Sequence, residues 1–281
     1  MADPALRLLH ITDTHLFADT GRRLRGVDTW RSLNGVLQVA LAEDSHPDAV
    51  LVTGDLSQDE TPDSYRHLHR LLAPLGVPVL CVPGNHDVAT TLVAELAGPP
   101  FLTQGSLVLD RWLLLLLDST IPGEHGGRLG PAQLAWLRDM LARHRGHHAL
   151  IALHHHVLPL GSRWLDQLGL ADAGALLAEL DRSSQVRALL SGHVHQASDT
   201  VHNGVRFLTT PSTCFQFLPH SEEFALDARP PAYRWLELHA DGRLDTAIGW
   251  DRHLPAAAGH PDGGRLVYAA TLHQPAEDTL P

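Results

Sequence analysis

Five short apolar runs in this 281-residue chain each end in side chains that offer oxygen or nitrogen to a metal ion. Asp13 and His15 stand two apart in Ile-Thr-Asp-Thr-His, Gly54-Asp55 closes the next run, and Gly84-Asn85-His86-Asp87 closes the one after. His154-His155-His156 follow a fourth run, and His193 and His195 stand two apart in Gly-His-Val-His after the fifth. Apolar runs that are continuous rather than alternating indicate strands covered on both faces. A fold that buries such strands side by side can gather their polar ends along one edge. In an extended segment, residues two apart face the same way. Asp13 and His15 are therefore expected to share a cavity, as are His193 and His195.

The rest of the chain fits that frame. Strands are predicted at residues 6–12, 49–53, 77–82, 113–118, 149–153, 187–191, 205–210, 233–239 and 244–250. Helical spacing runs through 29–43, 62–73, 90–96, 131–143 and 172–180, with Pro62 and Pro131 at helix starts, where a missing N–H costs nothing. Asp241-Gly242 marks a hairpin turn between the last two strands. The pattern predicts an α/β chain with a β-sandwich core and helices on its outer faces. Residues 1–254 read as one domain, and the Pro-, Gly- and Ala-rich stretch 255–281 reads as a loosely ordered tail.

Composition narrows the function by exclusion. A formal net charge of -11 argues against a nucleic-acid partner, which would call for a basic face. The chain contains no lysine, which removes P-loop and Schiff-base chemistry. Its two cysteines, Cys81 and Cys214, have no metal-site spacing and suit a reducing compartment. No basic-then-apolar leader opens the sequence, and the longest apolar run, 112–117, is far too short to span a bilayer. A cytoplasmic protein without a membrane partner is expected. Of the 21 histidines, His67, His69, His144, His147 and His148 read as solvated surface.

Taken singly, most of the donors have ordinary explanations. Asp13 or Asp55 could cap a helix, Asn85 could form a turn, and His154 could be a satisfied core histidine. Their joint occurrence at successive strand ends points instead to one metal centre. Carboxylate and imidazole suit manganese, iron, zinc or cobalt, and the lack of clustered thiolates argues against a structural zinc. Asp55, following a glycine, suits a carboxylate shared by two ions. Strand geometry alone leaves His154 and His156 equivalent, with His155 pointing the other way.

The series Asp-x-His, Gly-Asp, Gly-Asn-His-Asp, His-His and Gly-His-x-His resembles the calcineurin-like metallophosphoesterase superfamily. Further stretches, including Trp164-Leu165-Asp166-Gln167, Pro211-Ser212-Thr213-Cys214 and His239-Ala240-Asp241-Gly242, are similar to the bacterial class III 3′,5′-cyclic AMP phosphodiesterases. The likeness spans residues 6–248 and departs at Val157, where the family generally has proline. It implies a four-layer αββα sandwich of two mixed sheets flanked by helices. It also implies two metal ions, iron or manganese first and zinc or cobalt next. Asp13, His15, Asp55 and His195 would hold one ion, and Asn85, His154 and His193 would complete the other around a bridging Asp55. Hydroxide between the ions would open a cyclic phosphate, with His86 stabilising charge or protonating the leaving oxygen. His15, Asp55, Asn85, His86, His154 and His195 would contact the substrate. Asp87 could orient His86 or simply shape the turn. The partner is then a small phosphodiester. Other diesters, such as 2′,3′-cyclic nucleotides and glycerophosphodiesters, share the chemistry, and a non-catalytic metal-bound scaffold is the remaining reading. Trp30, Phe17, Trp164 and Phe215 are candidates for the pocket wall or for core packing. An acidic domain with a C-terminal hairpin is also compatible with a homodimer.

Overall fold

The computed structural model describes residues 5–42 and 46–254, so the expected tail lies outside the described residues. The chain opens with β1 (Leu6–Ile11), a short hairpin of β2 (Arg23–Leu24) and β3 (Val27–Asp28), α1 (Thr29–Ala40) and β4 (Ala49–Thr53). It continues through α2 (Pro62–Leu72), β5 (Val79–Val82), α3 (Ala89–Glu95), β6 (Phe101–Leu102), β7 (Gly105–Leu109) and β8 (Trp112–Leu116). Then come α4 (Gly130–Arg143), β9 (His148–Ala152), α5 (Arg163–Asp166), α6 (Ala173–Leu180) and β10 (Val186–Ser191). The hairpin β11 (Ser198–His202) and β12 (Val205–Thr209), the short pair β13 (Gln216–Phe217) and β14 (Leu226–Asp227), and β15 (Ala232–Leu238) with β16 (Leu244–Trp250) complete it. Asp28 caps α1 by accepting from the Arg31 N–H, and Thr61 caps α2 just ahead of Pro62.

Two six-stranded sheets form, in the orders β16-β15-β1-β4-β5-β6 and β11-β12-β10-β9-β8-β7. Both are mixed: β1, β4, β5 and β6 run parallel, as do β8, β9, β10 and β12, with antiparallel strands at the margins. Leu8, Leu51 and Leu80 from one sheet meet Leu114, Leu150 and Leu190 from the other between the layers. The alternate residues Leu9, Ile11, Val50 and Val52 pack outward against α1 and α2. On the far side Leu113, Leu115 and Ile151 pack against Leu137 and Leu141 of α4 and Leu176 of α6. Each central strand is thus apolar on both faces for a specific reason, and the αββα expectation holds.

Several expectations need correction. Exposed margins hid β7 and β11 from an apolar-run reading; Ser198–His202 has no buried residue. A usable signal was present all the same. Asn203-Gly204 both adopt positive φ, at 48° and 84°, in the turn between β11 and β12. The five histidines assigned to open surface are all half-buried, because imidazole faces cover neighbouring groups. His69 stacks on Phe101 at 4.8 Å, for example, and His67 lies 5.2 Å from Trp30. Cys81 and Cys214 are both free and buried. Among the described residues no helix is long and apolar enough to cross a membrane.

Candidate metal centre

Parallel pairing places the C-terminal ends of β1, β4 and β5 side by side, and those of β9 and β10 likewise in the facing sheet. The donors predicted from sequence lie just beyond these ends and meet between the sheets. His195 Nε2 lies 3.3 Å from Asp13 Oδ1 and 3.2 Å from His15 Nε2, and His15 Nε2 lies 3.9 Å from Asp55 Oδ2. On the other side, His154 Nε2 lies 3.4 Å from Asp55 Oδ1, 3.1 Å from Asn85 Oδ1 and 3.3 Å from His193 Nδ1. Two donor groups therefore meet at Asp55, which turns one carboxylate oxygen to each.

The backbone that presents them is not extended. Asp13, His15, Asp55, His193 and His195 have φ of 54°, 46°, 50°, 67° and 46°. Left-handed conformations cost roughly 1–2 kcal/mol per non-glycine residue. The strand-alternation account of Asp13/His15 and His193/His195 is therefore replaced: tight loops aim these side chains. The loops hold one another, with Asp13 N–H donating to Gly54 O at 3.0 Å and His15 N–H to Asp55 O at 2.9 Å. Close approach explains two glycines. A Cβ on Gly54 would lie 2.3 Å from His154 Nδ1, and one on Gly84 would lie 2.2 Å from Asp55 Oδ1.

The triplet is resolved in the same way. Strand β9 ends at Ala152, so alternation does not apply beyond it. His154 faces the donor cluster, whereas His156 Nε2 lies 3.8 Å from Asp166. His155 does not point away as alternation implied; its ring lies 4.7 Å from that of His193. Both its nitrogens are engaged, Nδ1 with Ser119 Oγ at 2.8 Å and Nε2 with His125 O at 3.2 Å. Asp87 does not orient His86. It accepts from the N–H groups of Gly84, Leu56 and Ser57 at 2.8, 3.1 and 3.0 Å, tying the Asp55 loop to the Asn85 loop. Gln58, which carries no sequence signal of its own, is the group beside His86 Nδ1, at 3.4 Å.

The donor set fits cations. His154 Nδ1 donates to Thr53 O and His195 Nδ1 to Phe215 O, each at 2.7 Å. These outer bonds fix the tautomers and aim Nε2 lone pairs inward at carboxylates and other ring nitrogens. An Nε2 lone pair facing a carboxylate oxygen repels it unless a proton or a metal ion sits between them. On the outer sides, His15 Nδ1 and His193 Nε2 are buried without a protein partner. Burial drives the His15 pKa down to about 3 and that of His193 well below its usual value. Burial also opposes charge on His154, but adjacent Asp55 outweighs it and lifts His154 to about 9. For Asp55, burial is overcome by His154 and His86, which hold its carboxyl well down.

A proton on His154 therefore competes with a cation at every pH below about 9. Titrating chelated protein with Mn²⁺ should show affinity falling as pH falls, by about tenfold per unit for one displaced proton. A profile flat from pH 6.5 to 8.5 would remove His154 from the ligand set.

The centre opens on a cleft of about 1190 Å³. His15, Asp55, Asn85, His86, His193 and His195 line it together with Trp164, Phe215, Phe217 and Phe224, and Phe217 stacks on His195 at 4.4 Å. Of the four aromatics weighed from sequence, Trp164 and Phe215 reach this cleft. Trp30 packs against the α1–α2 core, and Phe17 is buried with the Arg22 guanidinium 4.5 Å from its ring. Phe217, in the two-residue β13, and Phe224, in the connection before the two-residue β14, carry no run or periodicity that would mark them in the sequence.

Residues 6–197 match the calcineurin-like phosphoesterase family model. The chain is 42% identical over 244 residues to the 3′,5′-cyclic adenosine monophosphate phosphodiesterase CpdA of Escherichia coli (strain K12), covering 86% of this chain and 89% of that one. It is likewise 42% identical over 246 residues to CpdA of Pseudomonas aeruginosa, covering 88% and 90%. A dimetal phosphatase from Danio rerio shares the fold, with a TM-score of 0.62 at 18% identity over 88% of this chain and 99% of that one. Strand order, converging donors and sequence likeness agree, and the chain belongs to the calcineurin-like phosphoesterase family.

Proposed function

We propose that this chain hydrolyses 3′,5′-cyclic AMP to 5′-AMP with two metal ions, iron or manganese. Asp13, His15, Asp55 and His195 would hold one, and Asp55, Asn85, His154 and His193 the other. The observation that carries this reading is the pair of donor groups meeting at Asp55 beside an aromatic-walled cleft. When bound, such ions supply Lewis acidity to phosphoryl oxygens and acidify water. The relatives named as 3′,5′-cyclic AMP phosphodiesterases support the choice of ring.

The remaining work belongs to side chains. A Gln58 amide N–H directed at His86 Nδ1 leaves the ring proton on Nε2, free to donate. His86 donates that Nε2–H as a hydrogen bond to the ribose 3′-oxygen, stabilising its charge as the bond to phosphorus breaks, and water supplies both the new phosphoryl oxygen and the proton that the 3′-oxygen keeps. His15, Asp55, Asn85, His154 and His195 flank the phosphate. The adenine lies against Trp164, Phe217 and Phe224, whose rings are 4.9 to 5.4 Å apart and half-buried. Residues 1–254 act as one catalytic domain in this reading, since the donors come from both sheets. Two buried, unpaired cysteines suit the reducing cytoplasm.

The test is turnover by Mn²⁺- or Fe²⁺-reconstituted protein on 3′,5′-cyclic AMP, 2′,3′-cyclic AMP and a glycerophosphodiester. We expect the highest kcat/KM for the first, with 5′-AMP as product. A tenfold preference for either other diester would overturn the substrate, and no turnover of any diester by metal-loaded protein would favour a scaffold. Base stacking on an aromatic ring is worth about 1–3 kcal/mol. Phe224→Ala should therefore raise KM for cyclic AMP about tenfold, with a smaller change for a diester lacking a base. Equal changes for both would remove Phe224 from the base wall.

A further inference from the structure

A line of hydrogen bonds runs through the interior from Arg234 to Asp13. Arg234 Nε lies 3.0 Å from Thr210 Oγ1, which lies 2.8 Å from His10 Nδ1. His10 Nε2 lies 2.8 Å from Thr53 Oγ1, and Thr53 Oγ1 lies 2.8 Å from Thr12 Oγ1. Thr12 Oγ1 lies 2.7 Å from Asp13 Oδ2. Every member is buried; Arg234, at 3%, is the most exposed.

Proton counting fixes the direction. A hydroxyl 2.7 Å from a carboxylate oxygen must donate to it, because two oxygens at that distance without a proton repel. Thr12 has then spent its single proton, so Thr53 donates to Thr12, and His10 Nε2–H donates to Thr53. At the other end the guanidinium can only donate, so Thr210 receives from Arg234 and passes its own proton to His10 Nδ1. Burial and then Arg234 keep the His10 pKa well below its usual value, in keeping with a neutral ring that accepts at Nδ1. All five bonds point from cation to carboxylate. Such chains polarise one another.

Arg234 gives the chain a fixed source. Its other N–H groups go to neutral oxygens of Thr246, Ser198 and Thr209 at 2.9–3.2 Å. Among the described residues it forms no ion pair. Asp13 gives the chain a defined end: the His193 N–H lies 3.1 Å from both carboxylate oxygens and does not tell them apart, whereas Oδ2 takes the Thr12 proton and Oδ1 is the oxygen 3.3 Å from His195 Nε2.

We infer that this one-way chain anchors Asp13 by Oδ2 so that the carboxylate meets its ion through Oδ1 alone, making His10 and Thr12 positioning residues for the first metal site. Single-oxygen ligation suits the six-coordinate Mn²⁺ or Fe²⁺, whereas Ca²⁺ readily takes both oxygens of a carboxylate. The inference rests on the two-metal reading and adds a source of metal selectivity that lies outside the ligands.

The experiment compares the parent with Thr12→Val, Thr12→Ser and His10→Phe, titrating chelated full-length protein with Mn²⁺ and separately with Ca²⁺. Loss of a group that orients a ligand typically weakens metal binding about 10–100-fold. Thr12→Val and His10→Phe should weaken one of the two Mn²⁺ sites by at least about tenfold and lower the Mn²⁺-to-Ca²⁺ affinity ratio, while Thr12→Ser stays near the parent. Parent-like Mn²⁺ affinity in Thr12→Val would overturn the inference. So would an equal loss at both sites that Thr12→Ser shares, because that pattern reports general loosening. A parent that binds two Mn²⁺ yet leaves cyclic AMP intact overturns the functional reading alone.

Discussion

Replacing Asp55 by alanine is expected to remove both ions and abolish hydrolysis, with turnover falling by at least about 10³-fold. The reason is geometric. Asp55 lies between the two donor groups, with Oδ2 3.9 Å from His15 Nε2 and Oδ1 3.4 Å from His154 Nε2. Its loss takes a negative charge from both groups and leaves inward-facing imidazoles to repel one another. Asp55→Asn keeps the shape and one oxygen without the charge, and should retain one ion weakly. Metal analysis after gel filtration, alongside turnover, checks both variants. Two tightly held ions in Asp55→Ala would mean that Asp55 is not shared.

His86→Ala is expected to behave differently, losing about 10²–10³-fold in kcat while keeping its metal. His86 touches the centre in two ways. Its backbone N–H donates to Asp55 Oδ1 at 2.9 Å, and that bond survives substitution. Its ring lies edge-on to His15 at 5.3 Å and lines the cleft, where a hydrogen-bond donor to the departing oxygen belongs. The ring is also close enough to His15 and Asp55 to share an ion with them. Metal content separates the roles: loss of an ion in His86→Ala would make it a ligand. Parent-like kcat would remove it from stabilising the departing oxygen.

Local pattern carried much of this. Continuous apolar runs such as 49–53 predicted buried strands because both faces of β4 are covered, by α1–α2 on one side and the second sheet on the other. The edge strands β6, β7 and β11 escaped because a strand that is very short or covered on one side or neither has no such run, as at Ser198–His202, whereas the edge strand β16 was legible through its Asp241-Gly242 turn. The donors were legible as residue types at strand ends. The shape of the loops that hold them was not, since a left-handed Asp13 or His193 depends on hydrogen bonds to partners far along the chain. His193 N–H, for instance, reaches the Asp13 carboxylate at 3.1 Å across 180 residues.

What the sequence determined by itself was the layered α/β architecture and the chemical identity of the donors, because periodicity and residue type are local properties. Tertiary structure decided which histidine of 154–156 faces inward, what Asp87 binds, which aromatics reach the cleft and how Arg234 is wired to Asp13. Each of those depends on where two distant segments approach within hydrogen-bonding or van der Waals distance. That approach is set by how the two sheets pack, and no single segment of the chain encodes it.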